Sequence, residues 1–188
     1  MFQLNWKLAI YKPKKAPDIC KPNMPSILIV CSANICRSPM AEAILKRLVS
    51  NRPDADQWHI ESAGTWAMKG YPAADYSRIV MQSMGMDISS HQSRAVNSEL
   101  IRRFDLILTM ENNHKEGLSA EFGQDKHRIF MLSEMIGLMM DIPDPVRGQL
   151  VDYEETVRLL ERILTDGIER IYQIAMMNRK HVNDSPVD

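Results

Sequence analysis

Short strand-like segments alternate along the chain with longer segments in which apolar residues recur every three or four positions. The first short segment, residues 26–30, is almost entirely apolar and β-branched, which is typical of a strand covered on both faces of a parallel sheet. Further strands are predicted at residues 58–62, 105–110 and 127–132, and helices at residues 39–49, 73–84 and 151–177. This alternation predicts an α/β fold, in which helices cover both faces of a parallel sheet.

The length of 188 residues is that of one domain with short extensions. Residues 1–24 carry five lysines and three prolines, but neither the apolar core nor the cleavage site of a signal peptide. We expect residues 1–24, which include Cys20, to be a mobile extension, residues 25–178 to form the folded domain and residues 179–188 to be a flexible tail.

The composition restricts the classes of partner and site. With 45% hydrophobic and 25% charged residues, the chain is that of a soluble globular protein. Its net charge of -1 provides no general attraction to nucleic acid or to an anionic membrane, so neither is an expected partner. Three cysteines are too few for a disulfide framework or a four-ligand zinc site, which favours a reducing, cytoplasmic location.

The segment after the first strand carries the most informative chemistry, because ligands of parallel sheets bind at the carboxyl ends of strands. Cys31 and Arg37 are separated there by five residues. A tight loop followed by a helix N-terminus points backbone N–H groups at a tetrahedral oxyanion and favours a thiolate at Cys31. The planar guanidinium of Arg37 can bind two phosphoryl oxygens at once. The pattern predicts a phosphate site with a cysteine nucleophile.

Two neighbours fit that loop, although alternatives exist for its cysteine. Ser38 can donate a hydrogen bond to the thiolate, and Asn34 tolerates a positive φ. A nucleotide-binding loop would require a glycine-rich segment ending in Gly-Lys-Ser/Thr, which is absent from the sequence. Without Arg37 and the helix start, Cys31 could equally be a passive buried thiol at a strand end.

Five ordered blocks of the sequence resemble the low-molecular-weight protein tyrosine phosphatases. They are CSANICRSPMAE at residues 31–42, SAGT at 62–65, GMDISSHQSR at 85–94, DLILTM at 105–110 and DP at 144–145. The resemblance extends over about residues 25–175. It implies a single α/β domain with a four-stranded parallel sheet, the phosphotyrosine protein phosphatase I-like fold. It also implies two-step hydrolysis of a phosphomonoester without a metal or a cofactor.

The resemblance implies a role for each matching residue. Cys31 is the nucleophile that becomes phosphocysteine, Arg37 binds the phosphoryl group, and Asp144 is the general acid and later the base. Asp141 is the alternative acid. The phosphate-binding loop consists of Ser32, Ala33, Asn34, Ile35, Cys36 and Ser38.

In the family, further side chains support the loop through hydrogen bonds, and Ser62 and His91 match those supporting positions around Asn34. Cys36 matches a second loop cysteine that can form a reversible disulfide with an oxidised Cys31. Ala33 stands where the family often has glycine, so we expect this residue to keep a negative φ.

The substrate cleft departs from the family pattern. Val146 and Arg147 stand where the family commonly has aromatic residues. Trp66 could replace that aromatic wall, or could instead be a partly exposed edge of the core. Several methionines at helical spacing are predicted to pack in the core; they are Met81, Met84, Met86, Met135, Met139 and Met140.

The predicted function is removal of phosphate from phosphotyrosine in proteins, with inorganic phosphate and vanadate as inhibitors. Arginine phosphatases of this fold tend to have threonine at the position of Ile35, whose aliphatic side chain favours phosphotyrosine. Arsenate reductases of this fold need two further cysteines, and no cysteine follows Cys36. A non-catalytic phosphoprotein-binding module is the remaining alternative, although Cys31 and Asp144 are both present.

Overall fold

Four parallel strands form the centre of the fold in the computed structural model, which describes residues 25–183. They are β1 (Ser26–Cys31), β2 (His59–Gly64), β3 (Leu106–Thr109) and β4 (Ile129–Met131). Their spatial order is β2-β1-β3-β4. The predicted four-stranded parallel sheet is therefore confirmed.

Five α-helices and three 3₁₀ turns connect the strands of the described residues. The helices are α1 (Arg37–Ser50), α2 (Asp75–Ser83), α3 (Ser98–Arg102), α4 (Asn112–Glu121) and α5 (Leu150–Asn183), and the 3₁₀ turns span Ala55–Gln57, Gly123–Arg128 and Leu132–Ile136. None of the helices within residues 25–183 is both long enough and apolar enough to cross a membrane.

The central strand β1 packs against helices on both sides of the sheet. Alternate side chains of a strand point to opposite faces. Ile27 and Ile29 belong to a large core that also contains side chains of α1, α2 and α5. Leu28 and Val30 belong to a smaller core with side chains of α3 and α4. Because both faces are covered, all six residues of β1 are buried, which explains their continuous apolar character.

Helix ends differ from the predicted boundaries. The last helix, α5, extends to Asn183, so the first five residues of the predicted flexible tail are helical. Within that segment Arg179 contacts the Asp105 carboxylate at 3.3 Å. The five-residue helix α3 was not predicted, since it is too short to show a helical period; the side chain of Asn97 caps it by accepting a hydrogen bond from Leu100 N. The predicted extension at residues 1–24 lies outside the described residues.

The predicted core role of the methionines is wrong at two positions. Met81 and Met135 are buried, whereas Met139 and Met140 are 74% and 39% exposed. Gly137 has a left-handed φ of 75° and ends the preceding 3₁₀ turn. The apparent helical spacing therefore runs across a break in the backbone, and the two methionines lie in the following loop.

The end of β2 lies unusually close to the loop that follows β1. A Cβ atom on Gly64 would lie 2.4 Å from Ser32 O and 2.9 Å from Asn34 N, so only glycine fits there without displacing the loop backbone. The amides of Thr65 and Trp66 donate to Cys31 O and Ser32 O, both at 2.9 Å. Strand β2 thus positions the loop at the carboxyl edge of the sheet.

Candidate active site

The loop between β1 and α1 is built around Asn34, which is fully buried. Its φ of 56° is the only positive value at a non-glycine position within residues 25–183, so Ala33 keeps a negative φ as expected. The Asn34 Nδ2 group donates to Ser38 Oγ and to Ser62 Oγ, each at 2.9 Å. Its Oδ1 atom accepts from Arg94 N at 3.0 Å. One side chain therefore ties the loop to α1 and β2.

The Cys31 thiol lies at the base of this loop and is 2% exposed. Its sulfur accepts a hydrogen bond from Asn34 N at 3.3 Å and lies 3.0 Å from Ser38 Oγ. Because Ser38 Oγ accepts from Asn34, its own proton is free to point at the sulfur, which is nearer than the alternative acceptor Ala63 O at 3.4 Å. Two hydrogen-bond donors are therefore directed at the one sulfur.

The Arg37 guanidinium lies beside the same loop with its side chain only 1% exposed. Its Nη1 group forms an ion pair with Glu111 and donates to Ile142 O at 2.8 Å. Its Nη2 group forms an ion pair with Asp144 and lies 3.3 Å from Ser32 Oγ. The Nε group has no hydrogen-bond partner among the described residues. Two carboxylates contact this one buried positive charge, and the described residues leave one of its N–H donors unused.

Glu111 was missed by the sequence reasoning. It is the second residue after β3, so it lies at the carboxyl edge where the other functional side chains meet. The sequence block that resembles the family ends one residue earlier, at Met110. The predicted strand ended at residue 110, so the position of an acidic residue directly after it could have identified Glu111 as a candidate site residue.

The structure separates the two aspartates proposed as general acids. Asp144 contacts Arg37, and its side chain is 32% exposed at the rim of the site. Asp141 instead accepts a hydrogen bond from Asn112 N at 2.7 Å, at the start of α4. Between them, the buried Ile142 anchors the loop through its amide to Met110 O at 2.8 Å. Only Asp144 of this pair contacts Arg37.

Both residues expected to support the loop contact Asn34. Besides accepting from Asn34, Ser62 Oγ donates to Glu42 Oε2 at 2.6 Å. His91 Nε2 lies 2.7 Å from the backbone oxygen of Asn34. Glu42 was not predicted to belong to this network, although it ends the first block of resemblance at residues 31–42.

Cys36 is a free, buried thiol. Its sulfur lies 3.7 Å from the hydroxyl of Tyr153 on α5. Burial raises the pKa of Cys36, and burial likewise raises the pKa of Tyr153. Cys36 is therefore less ready than an exposed cysteine to ionise, and its predicted disulfide with Cys31 stays a prediction.

The predicted cleft residues lie on the surface. Trp66 is 87% exposed, so it is not an edge of the core. Its backbone N–H donates a hydrogen bond to Ser32 O, which places Trp66 beside the loop that follows β1. Val146 and Arg147 are exposed in the loop that carries Asp144. An exposed indole next to this loop can stack on an aromatic ring of a ligand.

His114 is a further residue that sequence reasoning missed. It lies on α4, is 7% exposed, and its Nε2 atom lies 3.0 Å from Ser32 Oγ. Burial lowers the pKa of His114, which favours the neutral imidazole. Its Nδ1 atom has no hydrogen-bond partner within residues 25–183.

Comparison with known families supports this arrangement. The model of a family described as low molecular weight phosphotyrosine protein phosphatase matches residues 26–176. The chain belongs to this family.

Relatives of this phosphatase chain include enzymes for different phosphoamino acids. It is 37% identical over 146 residues to a probable low molecular weight protein-tyrosine-phosphatase, EpsP, of Ralstonia nicotianae, a match that covers 78% of this chain and 95% of the relative. It is 31% identical over 139 residues to a protein-arginine-phosphatase of Bacillus subtilis, covering 73% and 91%. The protein is thus a phosphatase, and family membership leaves its phosphoamino acid open.

A solved structure agrees with the same assignment. The low molecular weight protein tyrosine phosphatase from T. tengcongensis has a TM-score of 0.73 and 33% sequence identity, covering 78% of this chain and 99% of that chain. The fold of this chain is therefore that of a low molecular weight protein tyrosine phosphatase.

Proposed function

We propose that this phosphatase hydrolyses phosphotyrosine in protein substrates through a phosphocysteine intermediate on Cys31. The observation that carries the proposal is the position of the Cys31 sulfur. It receives hydrogen bonds within a loop that also holds the buried guanidinium of Arg37. A stabilised thiolate beside a fixed cation is suited to attack on a phosphoryl group.

In the first proposed step, the Cys31 sulfur attacks phosphorus while the bond to the leaving phenolic oxygen breaks. The loop amides and Arg37 bind the phosphoryl oxygens, and the Nε donor of Arg37 supports this role because no described residue uses it. Asp144 supplies the proton that the leaving oxygen needs. Its place at the rim, with 32% of its side chain exposed, supports access to a leaving group.

In the second step, water attacks phosphorus and the sulfur–phosphorus bond breaks. Asp144, now a carboxylate, accepts a proton from the water, and the reaction releases inorganic phosphate and the Cys31 thiolate. Product phosphate, and vanadate as its analogue, are therefore expected inhibitors. No step of this mechanism uses a metal or a cofactor.

The ion pair between Arg37 and Asp144 defines a resting state of the site. A bound phosphoryl group and the Asp144 carboxylate compete for the same guanidinium. Substrate binding therefore releases Asp144 from Arg37, and the freed carboxylate takes up a proton from solvent before it acts as the acid. Glu111 stays with Arg37 and keeps the guanidinium in place.

Two features support an aromatic phosphate ester as the substrate. The aliphatic side chain of Ile35 favours phosphotyrosine over phosphoarginine. The backbone oxygen of Ile35 accepts a hydrogen bond from Ala74 N at 2.8 Å, which holds the middle of the loop in place. Trp66 offers an exposed indole beside the loop. Phosphoarginine is the second candidate, because an arginine phosphatase is among the relatives. A thiol-relay arsenate reductase is not supported, since no cysteine follows Cys36.

We also propose that the enzyme works in the cytoplasm. Its nucleophile must stay reduced, and both described cysteines, Cys31 and Cys36, are free.

The test is hydrolysis of p-nitrophenyl phosphate by the reduced full chain in the presence of a chelator. We expect turnover that Cys31→Ser abolishes and Asp144→Ala slows about a hundredfold or more. Asp141→Ala is the matched control, because Asp141 caps α4 instead of contacting Arg37, and it is expected to keep the wild-type rate. Phosphotyrosyl and phosphoarginyl peptides then distinguish the two substrates. Binding of vanadate without any turnover would refute the proposal and favour a phosphoprotein-binding module.

A further inference from the structure

The Ser32 hydroxyl lies between two groups that can donate hydrogen bonds to it. His114 Nε2 lies 3.0 Å away, and Arg37 Nη2 lies 3.3 Å away. Arg37 has no acceptor atom, so Ser32 Oγ must accept from it. The direction of the bond to His114 depends on which imidazole nitrogen carries the proton.

The unpaired Nδ1 atom of His114 decides that direction. Nδ1 is buried and has no partner within residues 25–183. A buried N–H donor without an acceptor is rarer and costlier than a buried acceptor without a donor. The proton therefore belongs on Nε2, which donates to Ser32 Oγ. The low exposure of His114, 7%, disfavours a second proton on the ring.

With both lone pairs of Ser32 Oγ accepting, its own proton must point elsewhere. No further described residue makes a hydrogen bond to Ser32 Oγ. Ser32 directly follows Cys31 in the phosphate-binding loop and neighbours the guanidinium that binds phosphate. An oriented O–H donor at that place is suited to an anionic oxygen.

We propose that Ser32 is a further catalytic residue whose hydroxyl donates a hydrogen bond to a phosphoryl oxygen, and that His114 is the positioning residue that orients this hydroxyl. The inference rests on the proposed function, because it assumes that the phosphoryl group is bound by the Cys31 loop. No bond other than this hydrogen bond forms or breaks. The Ser32 hydroxyl is a donor in addition to the backbone N–H of residue 32, which every residue type except proline would supply.

Substitutions at Ser32 test the hydroxyl directly. Ser32→Ala is expected to lower kcat/KM for p-nitrophenyl phosphate by about tenfold to a hundredfold, as loss of a hydrogen bond to a charged group does. Ser32→Thr keeps the hydroxyl and is expected to keep most of the rate. Thr65→Val is the matched control. Thr65 lines the same pocket as Ser32 and His114, and its buried Oγ1 atom has no hydrogen-bond partner within residues 25–183, so its loss is expected to change the rate less than twofold.

Substitutions at His114 test positioning. His114→Leu removes the donor to Ser32 and is expected to lower kcat about threefold to tenfold, while His114→Gln offers an amide N–H and restores part of the rate. Because His114 acts through Ser32, the double variant Ser32→Ala/His114→Leu is expected to be no slower than Ser32→Ala alone. A double variant that is slower by the full His114→Leu factor would overturn the positioning role.

A readout independent of activity is the proton position on His114. Two-dimensional ¹H–¹⁵N spectra of the imidazole are expected to place the proton on Nε2 in the wild-type enzyme. A proton on Nδ1, or full activity of a folded Ser32→Ala variant, would overturn the inference. If the wild type turns over, Cys31→Ser does not, and Ser32→Ala is as fast as the wild type, the inference alone is refuted. An inactive wild type would instead refute the proposed function itself.

Discussion

Replacing Asp144 by asparagine is predicted to separate anion affinity from turnover. In the resting site the Asp144 carboxylate forms an ion pair with Arg37, so it competes with a phosphoryl group for the guanidinium. Asparagine has a similar shape but carries no charge and cannot donate a carboxyl proton. The variant is therefore expected to bind phosphate more tightly while it hydrolyses substrate more slowly.

The structure sets the size of both changes. The Asp144 side chain is 32% exposed, and a partly exposed ion pair contributes about 1 kcal/mol. Removing this competitor is expected to tighten phosphate binding about fivefold. Loss of a general acid lowers turnover by about a hundredfold or more, and most strongly where the leaving group is a poor one.

Calorimetric titration with inorganic phosphate and steady-state kinetics with two aryl phosphates measure these effects. Phenyl phosphate, whose leaving group is the stronger base, is expected to show a larger loss of kcat than p-nitrophenyl phosphate. Weaker phosphate binding in Asp144→Asn than in the wild type would show that Asp144 does not compete for Arg37. An equal loss of kcat for the two esters would show that it does not protonate the leaving group.

Three further changes have defined expected outcomes. Glu111→Gln removes one carboxylate from the buried Arg37, so urea denaturation is expected to show a loss of about 1–3 kcal/mol in unfolding free energy, and an unchanged value would contradict the buried ion pair. Gly64→Ala places a Cβ atom 2.4 Å from the backbone of the phosphate loop, so both Tm and kcat are expected to fall, and a wild-type kcat would mean that the loop tolerates displacement. The hydrogen bond with His59 helps to lower the pKa of Glu61 to about 2, so Glu61 stabilises the fold above its unfolded pKa and loses this effect as the pH falls towards 2. The difference in stability between wild type and Glu61→Gln is thus expected to shrink as the pH falls below about 5; a difference that grows in acid would refute the sign.

Patterns that repeat along the chain predicted the fold well. Continuous burial of β1 and the spacing of α1 and α5 follow from local composition. The order along the chain of the four strands and of helices α1, α2 and α5 was predicted correctly. Errors arose where a backbone break interrupts a pattern, as Gly137 does before Met139 and Met140. The short helix α3 was missed because five residues contain too few turns to show a period.

Side chains of the site were predictable where a compact motif holds them together. The loop from Cys31 to Ser38 is such a motif, and the positive φ of Asn34 followed from residue type. Glu111 and His114 contact loop residues that lie 74 and 82 positions earlier in the chain, and no local pattern encodes such a pairing. Only the strand order, which brings β3 next to β1, places them at the loop.

The hydrogen bonding of Asn34 has a consequence for how quickly the enzyme can engage an anion. Its amide N–H, side-chain amide and backbone oxygen all have partners before any ligand arrives. The phosphate loop is therefore preorganised, and binding an anion carries little entropic cost of ordering the backbone. Under the proposed mechanism, the movement that binding requires is the departure of the Asp144 carboxylate from Arg37, and rotations of exposed side chains take place within nanoseconds.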